Sequence, residues 1–350
     1  MKYSILDLVN LKAGQTYAEA YDDFIDMVGT AERLGFSRYW VAEHHNSKTI
    51  ASSATQLLVL HALANSASIR VGTGGVMLPN HSPYLVAEQY GTIERLYPGR
   101  LDLGLGRAPG TDLKTARVLR RTDNLYTDFE RELAELDSYF AGTADVHAYP
   151  AEGARIPHYI LGSSTDSAYL AARLGLPYSF ASHFAPAEME EAVRIYRSRF
   201  EPSGELREPY VVLGVNVAVA DTDAEAERLF TSHTQAILGI VTNQASNGIQ
   251  PPKESDAEVW RDYIAAEKVP HFGPIAFKLE DIVHREKAIV RQMTAVSLVG
   301  GQERVAAQLR ELRGRVHLDE IMVNSLIYSQ EDKRRSYELL AEVMRREFAA

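Results

Sequence analysis

Residues 41–46 read VAEHHN, a carboxylate followed by two imidazoles in consecutive positions. Imidazole titrates near neutral pH, so either histidine suits general acid–base work. Both can equally satisfy backbone groups at the rim of a sheet. Adjacent residues on a strand point to opposite faces, so Glu43, His44 and His45 cannot share one ion while the strand persists. Their spacing is also not that of a helical H-E-x-x-H zinc site, and no metal is expected. In residues 70–83, RVGTGGVMLPNHSP, Gly72, Gly74 and Gly75 either admit a flat ligand or form a simple bulge or turn. Residues 101–112, LDLGLGRAPGTD, space Gly104, Gly106 and Gly110 wrongly for a dinucleotide fingerprint, and no helical pattern follows until after Arg121. What remains there is Arg107, whose guanidinium can fork onto a phosphate or lie in solvent. Residues 159–175, YILGSSTDSAYLAARLG, run from a β-like stretch into Gly162, Ser163, Ser164 and Ser167 and then a helix. Free amides, hydroxyls and the dipole at such a helix start favour an anion. Ordinary N-capping by Ser164 or Thr165 explains one of those hydroxyls well and the cluster less well.

Strand-like and helix-like patterns alternate and must position these residues. Strands are expected at Lys2–Leu8, Arg38–Glu43, Ile69–Met77, Arg100–Gly106, His158–Leu161, Tyr178–Ala181, Tyr210–Ala220 and Glu320–Asn324. Several are apolar on both faces, as buried parallel strands are. Thr16 and Glu19 form a capping box for a helix that Gly35 ends, and Ser82–Pro83 starts another that Gly99 follows. Further helices are expected near Ser53–Ala67, Asn124–Phe140, Asp166–Gly175, Ala187–Phe200, Asp223–Leu238 and Asp332–Phe348. Eight β/α units in order indicate a (β/α)8 TIM barrel, with a doubly wound open sheet as the competing fold. Residues 221–318, with about three helical patterns, read as an insertion and lid region between strands 7 and 8 of a single domain spanning 1–350.

The 350 residues are 45% hydrophobic, enough for a large core, and carry a net charge of −10, which gives no basic footprint for nucleic acid. The absence of cysteine removes disulfides, thiolate chemistry and Cys-based metal sites. No signal peptide and no run of apolar residues long enough for a membrane span is visible, so a cytoplasmic location is expected.

The quoted motifs, with RYWVAEHHN, LGSSTDSAYLAARLGLPYSFASHFAP and the late SLVGGQERV and DEIMVNS, occur in one order along nearly the whole chain. In this they resemble the luciferase-like flavin monooxygenases, the family of bacterial luciferase, and most nearly its single-chain bacterial branch. The resemblance implies a (β/α)8 barrel, commonly a homodimer. It implies an enzyme that takes reduced FMN from a separate flavin reductase and uses O2, through a C4a-peroxyflavin, to oxygenate a small organic substrate. His44 matches the family's catalytic histidine, and Glu43 lies in its flavin site. Gly74–Gly75 matches the place of a non-proline cis peptide beside the flavin, and Arg107 matches a phosphate-binding arginine. Leu161, Gly162, Ser163 and Ser164 match the segment around the phosphate. Tyr3 and Phe184 are candidates for the substrate side, and His183 reaches the pocket or caps a turn. Bacterial luciferase has a cysteine where this chain has Gly106 and a glutamate where it has Ser163, so light emission and a long-chain aldehyde do not follow. The alternatives are a deazaflavin-dependent oxidoreductase, a non-catalytic flavin-binding protein and a metallohydrolase using Glu43, His44 and His45.

Overall fold

The computed structural model describes residues 1–121, 128–244, 247–266 and 279–348. Its strands are β1 (Lys2–Asp7), β2 (Arg38–Val41), β3 (Arg70–Met77), β4 (Leu101–Gly106), β5 (His158–Gly162), β6 (Tyr178–Phe180), β7 (Val211–Val219), β8 (Ser297–Gly300) and β9 (Glu320–Asn324). All pair in parallel. Strands β1 to β7 follow sequence order, β7 joins β9, and β9 returns to β1. This closes an eight-stranded barrel and removes the open-sheet alternative. The barrel strands are those expected from sequence. The addition is β8, which pairs with the far half of β7 from Asn216 to Val219, where the pairing of β7 with β9 ends.

Alternation sets the two sides of the wall. Ile5, Tyr39, Val71, Leu103, Ile160, Leu213 and Ile321 face the surrounding helices and join the main core. Leu6, Trp40, Tyr159, Val212 and Met322 cluster inside the barrel. Below them lies a buried polar layer. Arg38 donates to Asp102 at 2.7 Å, to Glu320 at 2.8 Å and to the Tyr159 hydroxyl at 2.6 Å. Arg70 Nη2 also binds Asp102, at 2.6 Å, so two cations face two carboxylates. Replacing Arg38 with methionine leaves Glu320 without its cation and Asp102 with Arg70 alone. It is expected to cost about 3–5 kcal/mol in chemical denaturation, the usual penalty for leaving a buried charge unpaired.

The helices carry the punctuation read from sequence. Thr16 and Glu19 complete the capping box of the Tyr17–Leu34 helix, and Gly35 ends it at φ 79°. In that helix Glu32 accepts the backbone amides of Ala67 at 3.0 Å and Ile69 at 2.9 Å, fixing the entrance to β3. Burial opposes ionisation of Glu32, but the amides of Ile69, Ser68 and Ala67 outweigh it and hold the carboxyl at about 2, below its ordinary 4.5. This stabilisation is complete above pH 4.5 and is lost as pH falls toward 2. Glu32→Ala is therefore expected to cost about 1–3 kcal/mol at pH 7 and progressively less in melts below pH 4.5.

Local differences have local causes. β2 stops at Val41, two residues before the expected end at Glu43. A helix, Leu113–Arg120, occupies the stretch read as non-helical; Asp112 caps it by accepting the amides of Lys114 and Thr115. The helix expected from Asn124 is seen as Phe129–Ala141, while its proposed start lies outside the described residues. Within 221–318, the described residues form helices Asp223–Val241, Asp256–Ala265, Leu279–Met293 and Gln302–Arg315, together with β8. Residue 249 ties this region to the loop after β1 through backbone bonds with Leu11 and Ala13.

Candidate active site

Glu43, His44, Arg107 and Leu161–Ser164 lie at the C-terminal rim of the barrel, the end at which TIM barrels do chemistry. Because β2 ends at Val41, residues 43–45 lie on a loop and strand alternation no longer separates them. Glu43 is buried, and its Oε1 accepts from His45 Nε2 at 2.9 Å and from His81 Nε2 at 2.8 Å. Its other oxygen accepts the Met77 amide at 3.2 Å. Burial by itself would raise the Glu43 pKa; the two imidazoles reverse this and hold it at about 2. Glu43 thus fastens the loop after β2 to the end of β3. The loop after β4 joins the same assembly, since the Asn80 amide donates to the Pro109 carbonyl at 2.6 Å.

His44 turns away from that cluster. It borders a cleft of about 270 Å³ with Tyr17, Tyr21, Asn46 and Lys48. Its backbone is held by the Ser52 carbonyl at 3.3 Å. Burial, reinforced by neighbouring His45, lowers the pKa of its imidazole.

Gly74–Gly75 is a cis peptide, at the position the resemblance indicated. The glycines here are packing requirements. A Cβ on Gly75 would lie 2.5 Å from the Gly104 carbonyl, and one on Gly104 would lie 2.2 Å from the Thr73 carbonyl. Leu161 lies against both positions. The register then carries the rim sideways, because Met77 pairs with Gly106 and Gly106 with Leu161. Arg107 and Gly162–Ser163 are consequently neighbours although more than fifty positions separate them in the chain.

Ser164 is the N-cap of the Thr165–Leu174 helix, yet its side chain makes no capping hydrogen bond. Capping therefore does not account for its hydroxyl. Ser163 is exposed beside it. Arg107 reaches the same helix start, with Nη2 3.7 Å from Asp166 and its side chain 57% exposed. The helix end already attracts one anion, as the Thr165 amide donates to Glu188 at 2.8 Å. Ser167 drops out of the expected cluster, because its hydroxyl bonds the Ser164 carbonyl at 2.7 Å and Tyr178 at 2.9 Å. That inward turn requires Gly162, where a Cβ would lie 2.0 Å from the Ser167 hydroxyl.

Tyr3 is not at the rim. It starts β1, packs on Phe36 and donates to the Leu34 carbonyl at 3.1 Å. Phe184 is 50% exposed. His183 lies over Gly214, where a Cβ would approach its Nδ1 to 2.3 Å, and burial lowers its pKa to about 4. Sequence reading missed three residues. His81 had a signal, the NHSP motif just ahead of a helix. Glu188 had none. His233, buried in the Asp223–Val241 helix and stacked on Phe230, resembles any core histidine in sequence.

A profile of the luciferase-like monooxygenase family matches residues 1–317. The protein YvbT of Bacillus subtilis strain 168 is 44% identical, over 97% of this chain and 96% of its own. A luciferase-like monooxygenase of Escherichia coli strain K12 is 40% identical, over 97% of this chain and 96% of its own. The crystal structure of apo-MsnO8 superposes with a TM-score of 0.82 at 32% identity, covering 98% of each chain. Two more distant structures share the fold. One is the oxygenating constituent of 3,6-diketocamphane monooxygenase from Pseudomonas putida in complex with FMN (TM-score 0.68, 16% identity, 98% of this chain and 97% of that one). The other is an F420-dependent secondary alcohol dehydrogenase (TM-score 0.59, 12% identity, 99% and 98%).

Proposed function

Because the chain belongs to the luciferase-like monooxygenase family and is a monooxygenase, we propose that it takes reduced FMN from a separate flavin reductase and uses O2 to oxygenate a small organic substrate. The observation that carries FMN is the uncapped Ser164 hydroxyl beside the exposed Arg107 at one helix start. These groups fit a phosphate, since hydroxyls, amides and the helix dipole favour a dianion and a guanidinium binds it bidentately. Arg107, Ser163 and Ser164 would hold the phosphate, with Leu161 and Gly162 shaping the turn beneath it. Gly74, beside Leu6 and Trp40, and Gly75, beside Gly104 and Leu161, would receive the ring system, and Glu43 fixes the loops on that side.

Bound and reduced, the flavin supplies the two electrons with which one atom of O2 enters the substrate and the other leaves as water. The residues of the chain position this chemistry and control its protons. Arg107 and the two serines set where the nucleotide sits. His44, half-buried at the rim, holds or delivers one proton at its imidazole. The described helices Asp223–Val241 and Asp256–Ala265 would cover the substrate side, a reading supported by the attachment of Ile249, between them, to the loop after β1. The chain would act as a homodimer, as the resemblance implies.

The test is to mix the protein anaerobically with reduced FMN or with a reduced deazaflavin, then add O2 and a panel of aldehydes, terpenes and aromatic ketones. The expected result is oxygen uptake coupled to an oxygenated product with reduced FMN alone. Oxygen-independent hydride transfer from the deazaflavin, with no product from FMN, would replace this reading. Flavin binding without any turnover would leave a binding protein.

A further inference from the structure

We propose that Glu43, His45 and His81 form a binding site for a first-row divalent transition metal, of the zinc and cobalt class, where the loops after β2 and β3 meet. The three ligand atoms lie within 4.8 Å of one another, the one such cluster among the described residues. Glu43 Oε1 is 2.9 Å from His45 Nε2 and 2.8 Å from His81 Nε2. With metal–ligand bonds of about 2.1 Å, cis ligands stand roughly 3 Å apart, so each carboxylate–imidazole contact has the spacing of a cis N,O pair, and the two imidazole nitrogens lie within 4.8 Å of each other. Metal would take the Nε2 lone pairs of the two imidazoles, each then carrying its one proton on Nδ1, with any second proton released to solvent.

The surroundings favour an ion in three ways. The Met77 amide holds the second oxygen of Glu43, orienting the first as a one-point ligand. Among the described residues, the hydrogen-bond partners of the carboxylate are two imidazoles and one amide, with no lysine or arginine. Side-chain exposure rises from 2% at Glu43 to 13% at His45 and 28% at His81, so the carboxylate end of the site is buried and the His81 end is reachable from solvent. Two imidazoles and one carboxylate prefer such ions to magnesium or calcium. His44 is not part of the set, so the site is separate from the proton-handling residue proposed above. A bound ion would clamp two of the loops that frame the rim.

The experiment titrates Co2+ into metal-free, flavin-free full-length protein and follows visible d–d absorption. One ion per chain is expected, with Kd below about 10 µM. His45→Ala, His81→Ala and Glu43→Gln should each raise Kd at least about 10-fold, and His61→Ala, at an exposed histidine, should leave it unchanged. Circular dichroism checks that each variant folds. Should the Glu43 variant not fold, His81→Gln, at the most exposed of the three ligands, supplies the second arm. The absence of d–d bands in the wild-type protein, or binding that survives the His45→Ala/His81→Ala double substitution, would overturn the proposal. No flavin is present, so the outcome is independent of the FMN reading.

Discussion

Replacing Arg107 with alanine is expected to raise the Kd for FMN about 10- to 100-fold while changing that for riboflavin less than about 2-fold. Hydrogen bonds to a charged partner contribute about 1.5–3 kcal/mol each, and 1.36 kcal/mol corresponds to tenfold in affinity. Riboflavin lacks the phosphate and so never meets the arginine. The substitution is a clean probe because Arg107 is surface-exposed. Its one ion pair among the described residues, to Asp166 at 3.7 Å between side chains 57% and 73% exposed, is of the kind that contributes about 0–1 kcal/mol to folding. Flavin fluorescence titrations with both ligands give the ratio. Equal losses for FMN and riboflavin would place Arg107 away from the phosphate.

His44→Ala should leave FMN affinity within about 3-fold and lower product formation by about 10²- to 10⁴-fold, the range for loss of a positioned acid–base group. Reduced flavin and O2 would still be consumed, so hydrogen peroxide should rise as product falls. The structure supports treating the two functions separately. His44 lies on the loop after β2, while Arg107 and Ser164 lie on the loops after β4 and β5. The ring of His44 makes no hydrogen bond to another described residue, so its removal strands no buried partner. Product and peroxide measured in one reaction decide the matter. An unchanged product yield would remove His44 from proton control.

Much of this fold was legible because its signals are local. Thr16 with Glu19, Gly35, Ser82–Pro83 and the doubly apolar strands each act through neighbours in sequence, and the structure repeats them. The cis peptide at Gly74–Gly75 fell where the family resemblance put it. What escaped was non-local or too short. Helix Leu113–Arg120 has eight residues and only Ala116 buried, which leaves little periodicity to read. β8 contributes four residues with a mixed burial pattern and follows its partner β7 at a distance of some eighty positions.

The site shows the same division. Sequence placed Glu43, His44 and His45 side by side, and strand alternation would set His44 apart from the other two. The early end of β2 puts all three on a loop, where Glu43 still pairs with His45 and His44 lines a separate cleft. His81 joins Glu43 across 38 positions, a contact that only the register of β2 on β3 creates. Ser163, Ser164 and Arg107 were recognisable as donors one at a time. Their convergence follows from the pairing of Gly106 with Leu161. Tyr3 failed as a substrate-side candidate because it sits at the opposite end of its strand, with its ring among the outer helices.

The most direct measurement is a crystal structure of the protein with FMN bound. The phosphate should lie within hydrogen-bond distance, about 3 Å, of the Arg107 guanidinium and the Ser164 hydroxyl, with the ring beside Gly74 and Gly75. A phosphate bound elsewhere, with Arg107 and Ser164 both facing solvent, would contradict the account.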